Sequence, residues 1–279
     1  MQTSLASIFW TNPFGRHAEG ASRTLIQRRS LPTYLAICAG VVFLALTVAL
    51  TDFSYSGAEL NGAVASMIAM ALVGMTLRRF GIVRIGDGVE GLALFSVISM
   101  LAPLCAVVMA STNLPLADAV LARADYMLFR FQRENFVAWV MEWPGLMTAT
   151  QGVYHSLIIQ PSLLIAVLFA TGKGKRGWTL LLAWSLALAV ILAIFPFFPA
   201  VGTPPYFLEF EDVFHGARDG SLRILGLKAL TGIIEFPSFH AAAAVLLGWG
   251  FAGAGRLAVP FVLLNVLMFA SALVAGHYL

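Results

Sequence analysis

Charge is scarce in this chain of 279 residues: Asp, Glu, Lys and Arg make up 11% of it, against roughly 25% in soluble domains. That shortage, together with 59% hydrophobic residues and a mean hydropathy of +0.86, excludes a soluble globular enzyme. Cysteine is nearly missing as well. Cys38 and Cys105 both lie inside apolar runs, where they read as small buried residues and offer neither a disulfide framework nor a metal pair. Redox chemistry is therefore not expected. No internal repeat, low-complexity tract or metal-ligand spacing of carboxylates and histidines is present, so neither a metal nor another cofactor is expected. The net charge of +3 and pI of 9.1 do not call for a nucleic acid, because the basic residues sit mostly in short loops beside apolar runs.

What the chain does have is apolar runs of about 20 residues, each long enough to cross a hydrocarbon layer of about 30 Å. The expected fold is an all-α polytopic membrane bundle of about seven transmembrane helices, at 31–50, 58–77, 89–110, 151–170, 178–198, 239–253 and 257–275, plus one interfacial helix. The first run exceeds the h-region of a cleaved signal and reads as a retained anchor. With the N-terminus inside, the inner segments hold Arg16, Arg23, Arg28, Arg29, Arg78, Arg79, Arg84, Lys173, Lys175, Arg176 and Arg256, eleven of the seventeen basic residues. The outer segments hold the other six but also eleven of the fourteen acids. A multi-pass protein of the plasma membrane is expected, with residues 1–30 cytoplasmic and 31–110 a three-helix region.

Two outer segments are longer than mere connections. The stretch 111–150 has a helical rhythm (Leu116, Val120, Leu121, then Met127, Leu128, Phe131) and ends in Trp139 and Trp143, as an interfacial helix would. The stretch 199–238 is rich in proline, glycine and charge, and it leads into the residues that can do chemistry, within an expected catalytic region 151–279.

Phe236-Pro237-Ser238-Phe239-His240 precedes four alanines and an apolar run, so Ser238 reads as an N-cap and His240 as a first-turn residue. A helix N-terminus offers unpaired N–H groups and the positive end of the macrodipole, a setting for phosphate. Arg218, Arg223 and Lys228 lie just upstream. The same residues also read as a capped helix with an interfacial histidine. Ala275-Gly276-His277-Tyr278 ends the last run, 37 residues from His240 to His277. One span, a turn around Gly253-Ala254-Gly255-Arg256 and one span back would bring both histidines to the same face. Two imidazoles and several cations there could supply a nucleophile, a proton donor and positive charge for a phosphoryl group.

The segments Ala217-Arg218-Asp219-Gly220, Gly232 through Ala241 and Gly276-His277-Tyr278-Leu279 resemble the type 2 phosphatidic acid phosphatase (PAP2) superfamily, most closely its branch related to inositol phosphorylceramide synthases. The resemblance implies an integral membrane lipid phosphatase or phosphotransferase acting at the outer face through a phosphohistidine. It implies His277 as nucleophile, His240 as general acid, Ser238 and Phe239 at the phosphate, and Arg218, Arg223 and Lys228 as candidate cations. The partners implied are a lipid substrate and, for a transferase, a polyol or ceramide acceptor. The family's orienting aspartate, four residues after the nucleophile, and its last helix would fall beyond Leu279, so the sequence reads as a piece of a longer enzyme or as an inactive protein, with Asp219 as an alternative orienter. Ser271 stands where many members carry a phosphate-binding arginine. The competing reading is a non-catalytic membrane protein or transporter, or an inactive relative. His155 and Gln160 are intramembrane polar residues that read as functional or as packing hydrogen bonds. His17 and His215 read as solvated. Glu209, Glu211 and Asp212 form an acidic cluster, read as a solvated loop face or as a polar head-group contact.

Overall fold

The computed structural model describes residues 29–129, 133–202, 204, 206, 210–275 and 278. Among these, eleven α-helices form an all-α bundle, and the only strands are a two-residue parallel pair. All seven apolar runs are helical. Helices α1 (Leu31–Leu50), α2 (Gly57–Arg79), α3 (Val83–Ala110) and α8 (Gly174–Ile194, extended by a 3-10 turn to Phe197) are long and apolar enough to cross a membrane. Helix α1 is apolar on all sides yet buries only Thr33, which suits a helix whose neighbour is lipid.

The fourth run differs from the straight span its sequence suggests. It starts earlier, as α6 (Pro144–His155), passes through a 3-10 turn at Ser156–Ile158, and resumes as α7 (Gln160–Ala170) at a bend of 49°. Pro161, in the first turn of α7, has no N–H for the preceding turn, and its ring excludes the carbonyl that would have accepted it. The last two runs form α10 (Phe239–Ala252, 14 residues) and α11 (Ala258–Val274, 17 residues). At 1.5 Å per residue they reach only about 21 and 26 Å, joined by the 3-10 turn Gly255–Leu257. Between the long elements lie α4 (Asp118–Phe129), α5 (Arg133–Met141) and α9 (Glu211–Asp219), so the segment 111–150 holds two short helices and the start of a third.

Helix α3 is the hub, packing on α1, α2, α7 and α8. Its approach to α2 is a glycine contact: a Cβ on Gly86 would stand 2.6 Å from the Gly74 carbonyl oxygen. Arg78 of α2 lies against Asp87 (3.3 Å) and Glu90 of α3, and Tyr34 of α1 donates to Glu90 at 2.8 Å. At this same end, Lys173, just before α8, and Arg176 of α8 donate to the Gly253 and Gly250 carbonyls, and the Arg176 guanidinium covers the Trp249 ring at 4.1 Å. They thereby cap the C-terminus of α10. At the other end, β1 (Ser54–Tyr55) pairs with β2 (Ile224–Leu225), tying the α1–α2 turn to the loop before α10.

Candidate active site

The N-terminus of α10 has the form its sequence predicts. Ser238 is extended, and its Oγ accepts a hydrogen bond from the Ala241 N–H at 3.2 Å, which places His240 in the first turn. The His240 ring is half-buried and stacks on Tyr154, with centroids 3.7 Å apart and planes at 13°. Tyr154 comes from the end of α6, just before the bend. It is buried, and its other neighbours in the core are Val140, Val274 and Ala275. One tyrosine thus packs with the first turn of α10, which carries His240, and with the end of α11, three residues before His277 in sequence.

Beside His240 is a cavity of about 140 Å³, walled by Tyr154, Trp184, Glu235 and Phe239 together with small residues of α3. Trp184 and Phe239 meet edge to face at 5.2 Å. Glu235 is only 4% exposed. It is the sole acid lining this cavity among the described residues, and no lysine or arginine lines it.

Tyr278 is buried against Ala117, Leu121 and Ala200, with Phe236 packed on the same cluster. Its hydroxyl donates to Asp118 Oδ1 at 3.1 Å. Asp118 also accepts from the N–H groups of Gly202 (2.8 Å) and Val201 (3.2 Å). His277 itself lies outside the described residues.

The candidate cations stand apart from the cavity. Arg218 donates to the Leu114 carbonyl at 2.8 Å and lies 5.3 Å over the Phe214 ring. Partial burial pulls its pKa below the ordinary arginine value, and its Nη1 is buried with no hydrogen-bond partner. Arg223 is tied to Asp52 (2.9 Å) and the Ala217 carbonyl (3.0 Å), over the Phe53 ring. Lys228 is exposed. So His240, Phe239 and Glu235 share one cavity, with Ser238 capping the helix that carries Phe239 and His240, while the three cations do not line it.

The remaining polar candidates resolve mostly into packing. Gln160 accepts from Asn265 Nδ2 and donates to Ser156, both at 2.7 Å, a bridge that holds α11 against the bent pair. Ser271 donates to the Met268 carbonyl of its own helix. His155 Nδ1 is buried without a hydrogen-bond partner. Glu211 and Asp212 are exposed in the first turn of α9, where acids complement the helix dipole. Asp219 ends that helix and accepts the Ser221 N–H at 2.8 Å; this bond holds its carboxyl below the usual aspartate range. His215 is exposed, and His17 and Glu209 lie outside the described residues. Among the described residues, no group of three or more His, Cys, Asp or Glu is placed to hold a metal.

Sequence reasoning passed over Tyr154, Trp184, Asp118 and the role of Glu235. Only Glu235 left a usable signal, as an ionisable residue between Ile234 and Phe236 in an apolar setting. A family model described as the PAP2 superfamily matches residues 119–279. No curated protein and no solved structure matches the chain.

Proposed function

Since this chain belongs to the PAP2 superfamily, whose model it matches over more than half its length, we propose that it is an integral membrane phosphatase or phosphotransferase acting on a lipid phosphate ester through a phosphohistidine. His277 attacks phosphorus while the bond to the leaving lipid oxygen breaks, and His240 gives that oxygen its proton. His240 then takes a proton from the incoming water or alcohol, whose oxygen displaces His277 and restores it.

The observation that carries this reading is Tyr154, stacked on the His240 ring and packed against Val274 and Ala275, the residues that lead to His277. Helix α10 presents its first N–H groups beside His240, which suits an anion. Because the lining of the cavity includes an acidic side chain and no lysine or arginine, we assign the phosphoryl group to the helix N-terminus and the cavity to the uncharged leaving or accepting alcohol. The mostly apolar lining of the cavity suits an alcohol acceptor. On that basis we place the chain with the inositol phosphorylceramide synthase-like branch, with a polyol or ceramide acceptor. The charge bias of the loops supports an inside N-terminus and a site on the outer face of the plasma membrane.

The test is turnover of a radiolabelled phospholipid in mixed micelles, with and without inositol or ceramide. His277→Ala is expected to abolish phosphoenzyme formation, and His240→Ala to slow turnover by about 10² to 10⁴-fold. Full turnover by His277→Ala removes the nucleophile from this scheme. Solute flux in liposomes without phosphate release supports a transporter instead.

A further inference from the structure

We infer that Asp118 is a positioning residue for the reaction, acting through Tyr278 to hold the segment that carries the nucleophile; this rests on His277 being that nucleophile. Tyr278 is joined to His277 by one peptide bond, so whatever locates Tyr278 restricts where the imidazole can go. Two independent features locate it. Its ring is 5% exposed in a cluster with Ala117, Leu121 and Ala200, and its hydroxyl donates to Asp118 Oδ1 at 3.1 Å.

Asp118 is itself held. Its carboxylate accepts the Gly202 N–H at 2.8 Å and the Val201 N–H at 3.2 Å, and the neighbouring Ala117 N–H donates to the Pro199 carbonyl at 2.8 Å. The anchor is therefore a carboxylate that draws together the start of α4, the loop after α8 and the end of the chain described here. An ionised acceptor makes each of these bonds stronger than a neutral one would. Phe236 packs on the same cluster, four residues before His240. The clamp thus holds Tyr278 beside the segment that leads into α10.

A side chain that positions a nucleophile without touching substrate should act on kcat and leave KM nearly alone. We expect Asp118→Ala to lower kcat, per folded molecule, by up to about 10²-fold, the scale of a 1 Å misplacement. Tyr278→Phe keeps the ring and removes only the hydroxyl, and is expected to lose a similar factor. Asp118→Asn, which retains an acceptor oxygen, should recover part of the rate. The double variant Asp118→Ala with Tyr278→Phe should be no slower than the slower single one, since both break one connection.

The measurement is the single-turnover rate of phosphoenzyme formation on radiolabelled phosphatidic acid in micelles, with folded protein quantified by size-exclusion chromatography and His277→Ala run alongside. If His277→Ala is dead while both single variants match the wild-type rate per folded molecule, the positioning role is overturned and the nucleophile reading stands. Multiplicative losses in the double variant also overturn it. If His277→Ala reacts normally, the nucleophile reading fails and the inference with it. Should Asp118→Ala not fold, Tyr278→Phe and Asp118→Asn decide the matter.

Discussion

Tyr154 and Glu235 are the residues on which the candidate site turns. Tyr154→Phe keeps the ring face on which His240 stacks and is expected to lower turnover less than Tyr154→Ala. Tyr154→Ala removes a buried aromatic at a cost of about 3–5 kcal/mol and frees the imidazole, so both melting temperature and kcat should fall. Glu235→Gln keeps the side chain's size in the cavity beside His240 while removing its acid, and is expected to lower kcat with little change in melting temperature, as turnover and thermal unfolding measured side by side would show. Asp219 gives a cleaner sign. Its folded pKa is depressed, first by the Ser221 N–H, so its contribution is present above the ordinary aspartate pKa and is lost as pH falls through the folded value. Asp219→Asn should therefore lower the melting temperature slightly at neutral pH, with the difference closing in acid.

At the level of helices, the bundle is held by contacts that leave little room. Gly86→Ala would put a methyl 2.6 Å from the Gly74 carbonyl oxygen, backbone against backbone, and is expected to cost about 1–3 kcal/mol by forcing α2 and α3 apart. Arg78→Ala should cost more, about 3–5 kcal/mol, since it strands the Asp87 and Glu90 carboxylates at that interface. Thermal unfolding in detergent measures both. The pair Lys173 and Arg176 shows how the end of α10 remote from His240 is kept in place: both donate to its last carbonyls, at a helix C-terminus where cations are favoured.

On the scale of the whole molecule, the bundle has two ends of different character. Arg78, Lys173, Arg176 and the α10–α11 turn gather at one, and His240, Asp118, Tyr278 and the strand pair at the other. An inside N-terminus assigns the second end to the outer surface. Cysteines introduced at exposed Lys228 and at Lys175 test this in intact cells of a Cys38→Ser, Cys105→Ser background. The first is expected to react with an impermeant maleimide and the second to stay protected until the membrane is opened; the reverse pattern overturns the orientation.

Composition and hydrophobic spacing alone determined the membrane class, the all-α architecture and the approximate place of the four long helices, though not the bend in the fourth run, because burial in hydrocarbon demands an uninterrupted apolar stretch whatever the neighbours are. The Ser238 cap was equally legible, since capping is a contact between residues three apart in the chain. What only the tertiary structure decided is the company His240 keeps. Tyr154 lies 86 positions away in sequence, and an aromatic in an apolar helix reads as packing until its partner is known. Asp118 is one of many acids in loops, and nothing local marks it as the acceptor for Tyr278 across 160 residues. The cations illustrate the opposite case: proximity in sequence suggested that Arg218 and Arg223 reach the histidine, but Leu114 and Asp52 engage them first. Local rules act through neighbours along the backbone, whereas a site is made where distant helices cross, and those crossings are set by packing that the linear order does not display.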